Sequence, residues 1–130
     1  MVVFVDTSFL VSLFNIQDPK HDQAKKLSKK LLNIPPLYSN LIFAETVTIL
    51  SQKVGKQRAI YAGDLMKAKF REIRIDQDIE NLAWDIFKKQ KSKNVSFVDC
   101  TTFALFHKGI FDQCFTFDRD FKANKIPVLE

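Results

Sequence analysis

Only three glycines occur in 130 residues, and they are scattered, so a glycine-rich loop that cradles nucleotide phosphates is excluded. Two cysteines, Cys100 and Cys114, are too few for a disulfide framework and too far apart for a CxxC pair. They read as reduced, buried thiols. With only two histidines besides, a zinc centre lacks its usual ligands. No apolar run reaches the roughly 18 residues that a membrane-spanning helix needs, and the N-terminus has neither the basic region nor the small-residue cleavage site of a secretory leader. These absences point to a cytoplasmic protein with no membrane association. A single tryptophan beside thirteen phenylalanines suggests core filling and not base stacking.

What is present suits one domain over residues 1–130, because 46% hydrophobic content is enough to build a core. A net charge of +5 fits a polyanionic partner such as nucleic acid. Short apolar runs alternate with longer amphipathic stretches, which argues for α/β with a central parallel sheet. Five strands are expected: Val2–Val5, Leu37–Ser39, Glu72–Ile75, Cys114–Phe117 and Pro127–Leu129. Asp18-Pro19 reads as an N-cap with proline in the first turn of a helix that runs to Leu32, where Pro35-Pro36 forbids continuation. Further helices are expected over Leu41–Val54, Lys56–Phe70, Gln77–Lys91 (capped by Asp76 or Asp78) and Phe97–Lys108.

Four acids sit where their neighbours do not predict them. Asp6 closes the apolar run Val2–Val5, either as the cap of a helix beginning near Phe9 or as a ligand-binding group at the carboxyl end of a strand. Glu45 has Leu41, Ile42 and Ile49 at helical spacing, so it lies within an apolar stripe or snorkels from its edge. Asp99 follows Ser96 at capping-box spacing, and a carboxylate in that first turn can also face a cation in front of the sheet. Asp118 ends a second apolar run as Asp6 ends the first, with Asp120 two residues later, and an Asx turn is the structural alternative for either.

A doubly wound sheet of order 3-2-1-4-5 would bring these acids together, since its reversal falls between the strands that end in Asp6 and Asp118. The helix after the second strand then supplies Glu45 and the helix before the fourth supplies Asp99. At about 5 Å and an effective dielectric near 20, each carboxylate pair repels by roughly 3 kcal/mol, so the cluster must take up protons or hold cations. Oxygen-only ligands suit Mg²⁺ or Mn²⁺, which points to metal-assisted phosphodiester chemistry. Asp6, Asp99 and Asp118 would hold the metal, Glu45 would ligate it or orient the attacking water, and Asp120 is the alternative to Asp118. Arg119, Lys53 and Arg58 are candidates for RNA phosphates, whereas Lys25, Lys26, Lys29 and Lys30 suit a solvated helix face.

The segments "VDTSFL", "FAETV", "SFVDCTTFAL" and "FTFDRDF", in this order over the whole chain, resemble a PIN-domain protein, specifically the small ribonucleases of the VapC toxin type. The resemblance implies a three-layer α/β/α fold, Mg²⁺- or Mn²⁺-dependent cleavage of RNA, a homodimer and a cognate antitoxin protein. By the match, Asp6, Glu45, Asp99 and Asp118 correspond to the family's acidic quartet and Ser8 to its accompanying small polar residue. Val98 departs from the pattern, standing where relatives often carry threonine.

Rival α/β classes fail on residues. A phosphoacceptor receiver would need paired acids after its first strand, and a haloacid-dehalogenase-type phosphatase an aspartate where Ser8 stands. Two readings remain beside the toxin: a scaffold of this shape that binds RNA or protein without cutting, and an RNA-processing nuclease outside any toxin-antitoxin pair.

Overall fold

The computed structural model describes residues 1–129. Its sheet is built from β1 (Val3–Val5), β2 (Leu37–Ser39), β3 (Arg71–Ile73) and β4 (Gln113–Phe115), all parallel and in the order 3-2-1-4. Strand β1 is central, with Phe4 opposite Leu37 on one side and Cys114 on the other. Its three residues are buried, as a continuous apolar run in a parallel sheet covered on both faces must be. Strand β3 forms the edge and carries the exposed Arg71 and Glu72 there, charges that discourage pairing with another chain.

Each crossover is helical. Helices α1 (Thr7–Phe14) and α2 (His21–Ser28) link β1 to β2, α3 (Asn40–Val54) and α4 (Lys56–Lys69) link β2 to β3, and α5 (Gln77–Lys88) and α6 (Phe97–His107) link β3 to β4. A short α7 (Arg119–Ala123) follows β4. Within these layers α3 packs on α4, α5 on α6, and α1 on both α2 and α3. The core between helices and sheet is rich in phenylalanine: Phe4, Phe9, Phe103, Phe115 and Phe121 are fully buried, and Phe9 meets Phe115 edge-on at 5.0 Å.

Several boundaries differ from those the sequence suggests. The fifth strand, Pro127–Leu129, reduces to one bridge between Cys114 and Val128. Cys114 donates to the Pro127 carbonyl and accepts from Leu129, both at 2.9 Å, but Pro127 has no N–H with which to extend the ladder. Asp18 does not cap a helix through Pro19. Its Oδ1 accepts from the Lys20 amide at 2.8 Å and from Ser12 Oγ at 3.0 Å, making a turn from which α2 begins at His21. That helix stops at Ser28 and a 3-10 turn, Lys29–Leu31, completes the segment. Helix α5 ends at Lys88 and not Lys91, because the Lys89 amide turns back to the Ile86 carbonyl at 3.1 Å. Strands β3 and β4 each lie one residue earlier than expected and end two residues sooner.

Candidate active site

The carboxyl ends of β1 and β4 are neighbours, and the chain leaves each of them into a helix. Asp6 follows β1 and is the N-cap of α1. Its Oδ2 accepts from Ser8 Oγ at 2.8 Å, Thr116 Oγ1 at 2.9 Å and the Ser8 amide at 3.3 Å. Each hydroxyl has one proton, and both are directed at Asp6. Each also accepts from the backbone beyond β4: Ser8 Oγ from the Phe117 amide at 3.0 Å, Thr116 Oγ1 from the Asp118 amide at 3.1 Å. The start of α1 and the exit of β4 are thereby tied together around one carboxylate.

Asp99 and Asp118 likewise occupy helix starts. Ser96 and Asp99 form a full capping box at α6, with the Ser96 amide 3.0 Å from Asp99 Oδ2 and the Asp99 amide 3.0 Å from Ser96 Oγ. Asp118 caps α7, its Oδ1 accepting from the Asp120 amide at 2.9 Å. Glu45 arrives from the middle of α3, where Ile42, Thr46 and Leu50 make the buried stripe. Glu45 stands half-buried on the stripe's edge, with Leu41 and Ile49 one turn to either side. All four acids, with Ser8 and Lys53, line one cleft of about 570 Å³.

Electrostatics record the crowding. Burial first, and then the charges of Asp6, Asp118 and Glu45, raise the Asp99 carboxyl to about 7 despite the opposing Ser96 amide. Burial also raises Asp6 to about 6, against the opposing hydrogen bonds from Ser8 and Thr116. The donor set is therefore hard oxygen in a cleft short of positive charge, which fits a divalent cation of the Mg²⁺ or Mn²⁺ kind. Among the described residues, no group of three or more His, Cys, Asp or Glu side chains is gathered closely enough to enclose an ion unaided. A cation there would complete its shell with water or substrate oxygens, as Mg²⁺ ordinarily does.

A family model described as the PIN domain matches residues 3–126. The chain belongs to the PIN domain family. Two curated relatives, from Mycobacterium tuberculosis strains CDC 1551 / Oshkosh and ATCC 25618 / H37Rv, are each named a 23S rRNA-specific endonuclease, VapC20. Each is 34% identical over 125 residues, covering 94% of this chain and 93% of the relative. The crystal structure of Mycobacterium tuberculosis VapC20, described as a Sarcin-Ricin loop cleaving toxin, aligns with a TM-score of 0.87 at 31% identity and covers 95% of both chains.

Within this PIN domain, not every candidate reaches the cleft. Arg58 points elsewhere: its Nε donates to the Phe14 carbonyl at 2.8 Å and its guanidinium lies 5.0 Å from the Tyr61 ring centroid. Asp120 does not line the cleft, and only its amide serves Asp118. Arg119 is exposed in an adjoining cavity. Conversely, Thr116, which donates to Asp6, and Lys20, which lines the cleft, are not among the residues the sequence suggests. A hydroxyl at the end of the apolar run Cys114-Phe115-Thr116-Phe117 was the available signal for Thr116. Lys20 gave none, since its place over the Phe117 ring, 5.0 Å from the centroid, is set by the Asp18 turn.

Proposed function

We propose that this PIN domain is a divalent-metal-dependent endoribonuclease, with Asp6, Glu45, Asp99 and Asp118 as its catalytic acids. The observation that carries the reading is the convergence of these four carboxylates, from four separate elements, on one cleft. A bound Mg²⁺ or Mn²⁺ supplies an activated water and neutralises charge on the attacked phosphate. Asp6, Asp99 and Asp118 would hold the cation, directly or through water, and Glu45 would ligate it or accept a proton from the nucleophile. Ser8 and Thr116 hold Asp6 in one rotamer and favour its ionised form. The helix starts beneath Asp6 and Asp99 add partial positive charge that makes these buried anions tolerable.

By extension from the VapC20 relatives, 23S rRNA is the first substrate to test, and the toxin of a toxin-antitoxin pair acting in the cytoplasm is the biological role. No helix among the described residues is long and apolar enough to cross a membrane. A protein partner, whether an antitoxin or a second copy in a homodimer, is supported by an apolar groove of about 640 Å³ between α1, α2 and α4. Ile16 and Leu32 stand 70% and 81% exposed at its edge, and contiguous apolar surface of this kind marks interaction sites.

Incubating the protein with ribosomal RNA and Mg²⁺ or Mn²⁺ tests the activity. Discrete internal cuts, lost with EDTA and with Asp6→Asn, are expected. RNA binding without any cut in the presence of either metal would favour the non-cleaving scaffold.

A further inference from the structure

Beside the acidic cleft lies a second cavity of opposite character. The cleft is lined by five carboxylates, Asp6, Asp18, Glu45, Asp99 and Asp118, against Lys20 and Lys53. The neighbouring cavity, about 640 Å³, is lined by Lys20, Arg119 and Lys122 against Asp118 alone. The two share Lys20, Phe117 and Asp118 as a common wall. Leu27, Phe117, Val128 and Leu129 give the second cavity an apolar floor, with Gln23 and Thr116 beside it. Lys20 and Arg119 are exposed there, and Lys20 Nζ stands over the Phe117 ring at 5.0 Å.

We propose that this cavity is a nucleotide subsite, seating the residue of a single-stranded RNA segment next to the phosphate that reacts. This rests on the reading of the acidic cleft as an RNA-cleaving site. A polyanion is repelled by a cleft with an excess of carboxylates, so its flanking phosphates need cations outside the metal site to set the register. Lys20 lines both the cleft and the cavity, and Arg119 lines the cavity next to Asp118 in sequence, so the two cations stand ready for the next phosphate along the strand. The apolar floor beside them accepts a base or ribose face, and Phe117 offers a half-buried ring at the junction. Single-stranded or splayed-out RNA suits the place, because a paired base in a helix cannot enter a cavity of this size.

Steady-state cleavage by the Lys20→Gln/Arg119→Gln double variant tests the subsite. KM for a single-stranded RNA substrate should rise about tenfold, with a much smaller fall in kcat, while Lys29→Gln, an exposed lysine that lines neither the cleft nor the cavity, changes neither. A second arm uses the Asp6→Asn protein in EDTA and a short fluorescein-labelled oligoribonucleotide. Adding the double substitution should weaken binding and reduce the slope of log affinity against log salt by about 1.4, two phosphate contacts' worth on a single strand. An unchanged KM, or an unchanged salt slope, overturns the subsite. Failure of the unsubstituted protein to cleave any RNA removes the nuclease reading instead, and the binding arm still decides whether the cavity receives RNA.

Discussion

Ser8 Oγ and Thr116 Oγ1 lie 3.1 Å apart, yet both point their protons at the same oxygen of Asp6, at 2.8 and 2.9 Å. Residues 108 positions apart in sequence are thus held together by a carboxylate and not by each other. Thr116→Val removes one of the bonds that favour ionised Asp6 and leaves the Asp118 amide unpaired. A loss of about 1–3 kcal/mol in stability is expected for an unsatisfied amide of this kind. The Asp6 carboxyl should rise above its value near 6, which moves the acid limb of the pH–rate profile to higher pH. Ser8→Ala should shift it the same way. Profiles of both variants that superimpose on the parent would show that the hydroxyls do not tune Asp6.

Removing any one of the four carboxylates should abolish cleavage without unfolding the protein. Asp6→Asn and Glu45→Gln relieve repulsion in the metal-free cleft, so their melting temperatures without metal should stay level or rise by a few degrees for a gain of about 1 kcal/mol. Asp118→Asn keeps its cap, since asparagine serves at N-cap as well as aspartate does. Asp99→Asn is the exception. Its Oδ2 accepts the Ser96 amide at 3.0 Å, and an amide oxygen accepts more weakly than a carboxylate, so this variant should show no gain or a loss. Differential scanning fluorimetry in EDTA ranks the four. Full activity in the Glu45 or Asp6 variant would dismantle the assigned quartet.

The raised carboxyls also fix the sign of the pH dependence. Asp6 and Asp99 are raised to about 6 and about 7 in the fold from the ordinary aspartate value of 3.8, so between about pH 4 and 7 the native state holds more protons than the unfolded chain. Stability of the metal-free protein should therefore fall as pH rises through this window and level off above it, by an amount on the order of a few kcal/mol. Urea titrations in EDTA across pH 4.5 to 8 measure it. A rise in stability over the same interval would mean that these carboxyls are not strained in the fold.

How far the sequence reveals this site depends on which signals are local. Asp6, Asp99 and Asp118 stood out because each interrupts or follows an apolar run, and a helix-capping explanation competed with a functional one at every position. Both descriptions hold geometrically: the same three residues cap or open helices and line the cleft. Capping fixes where a carboxylate sits, and the topology of β1 beside β4 decides that the caps meet. Glu45 was legible as an acid among apolar neighbours, although its place is the edge of the stripe and not its centre. Thr116 offered only its hydroxyl at the end of an apolar run, because the carboxylate it serves, Asp6, lies across the β1–β4 pairing. The fifth strand misled for a local reason: an apolar run was visible, but the proline within it limits the pairing to one bridge.

Metal binding joins the electrostatics to the proposed activity. For a site present only in the folded protein, cation at roughly 100 times its dissociation constant adds about 2.7 kcal/mol, or about ten degrees in melting temperature for a chain of this length. Because no three of the described His, Cys, Asp or Glu side chains enclose an ion by themselves, affinity should be modest and millimolar Mg²⁺ or Mn²⁺ necessary. The same ions must displace protons from Asp6 and Asp99, so the stabilisation should be larger at pH 8 than at pH 6. Ca²⁺ should stabilise as well yet support little cleavage, since its looser shell fills the cleft without placing the attacking water. Asp6→Asn and Asp118→Asn should lose most of the increment, and Lys29→Gln should keep it. Melts of these proteins in EDTA and in each cation, at both pH values, separate the outcomes. A shift common to wild type and Asp6→Asn, or one that does not grow with pH, would place the cation somewhere other than among these four acids.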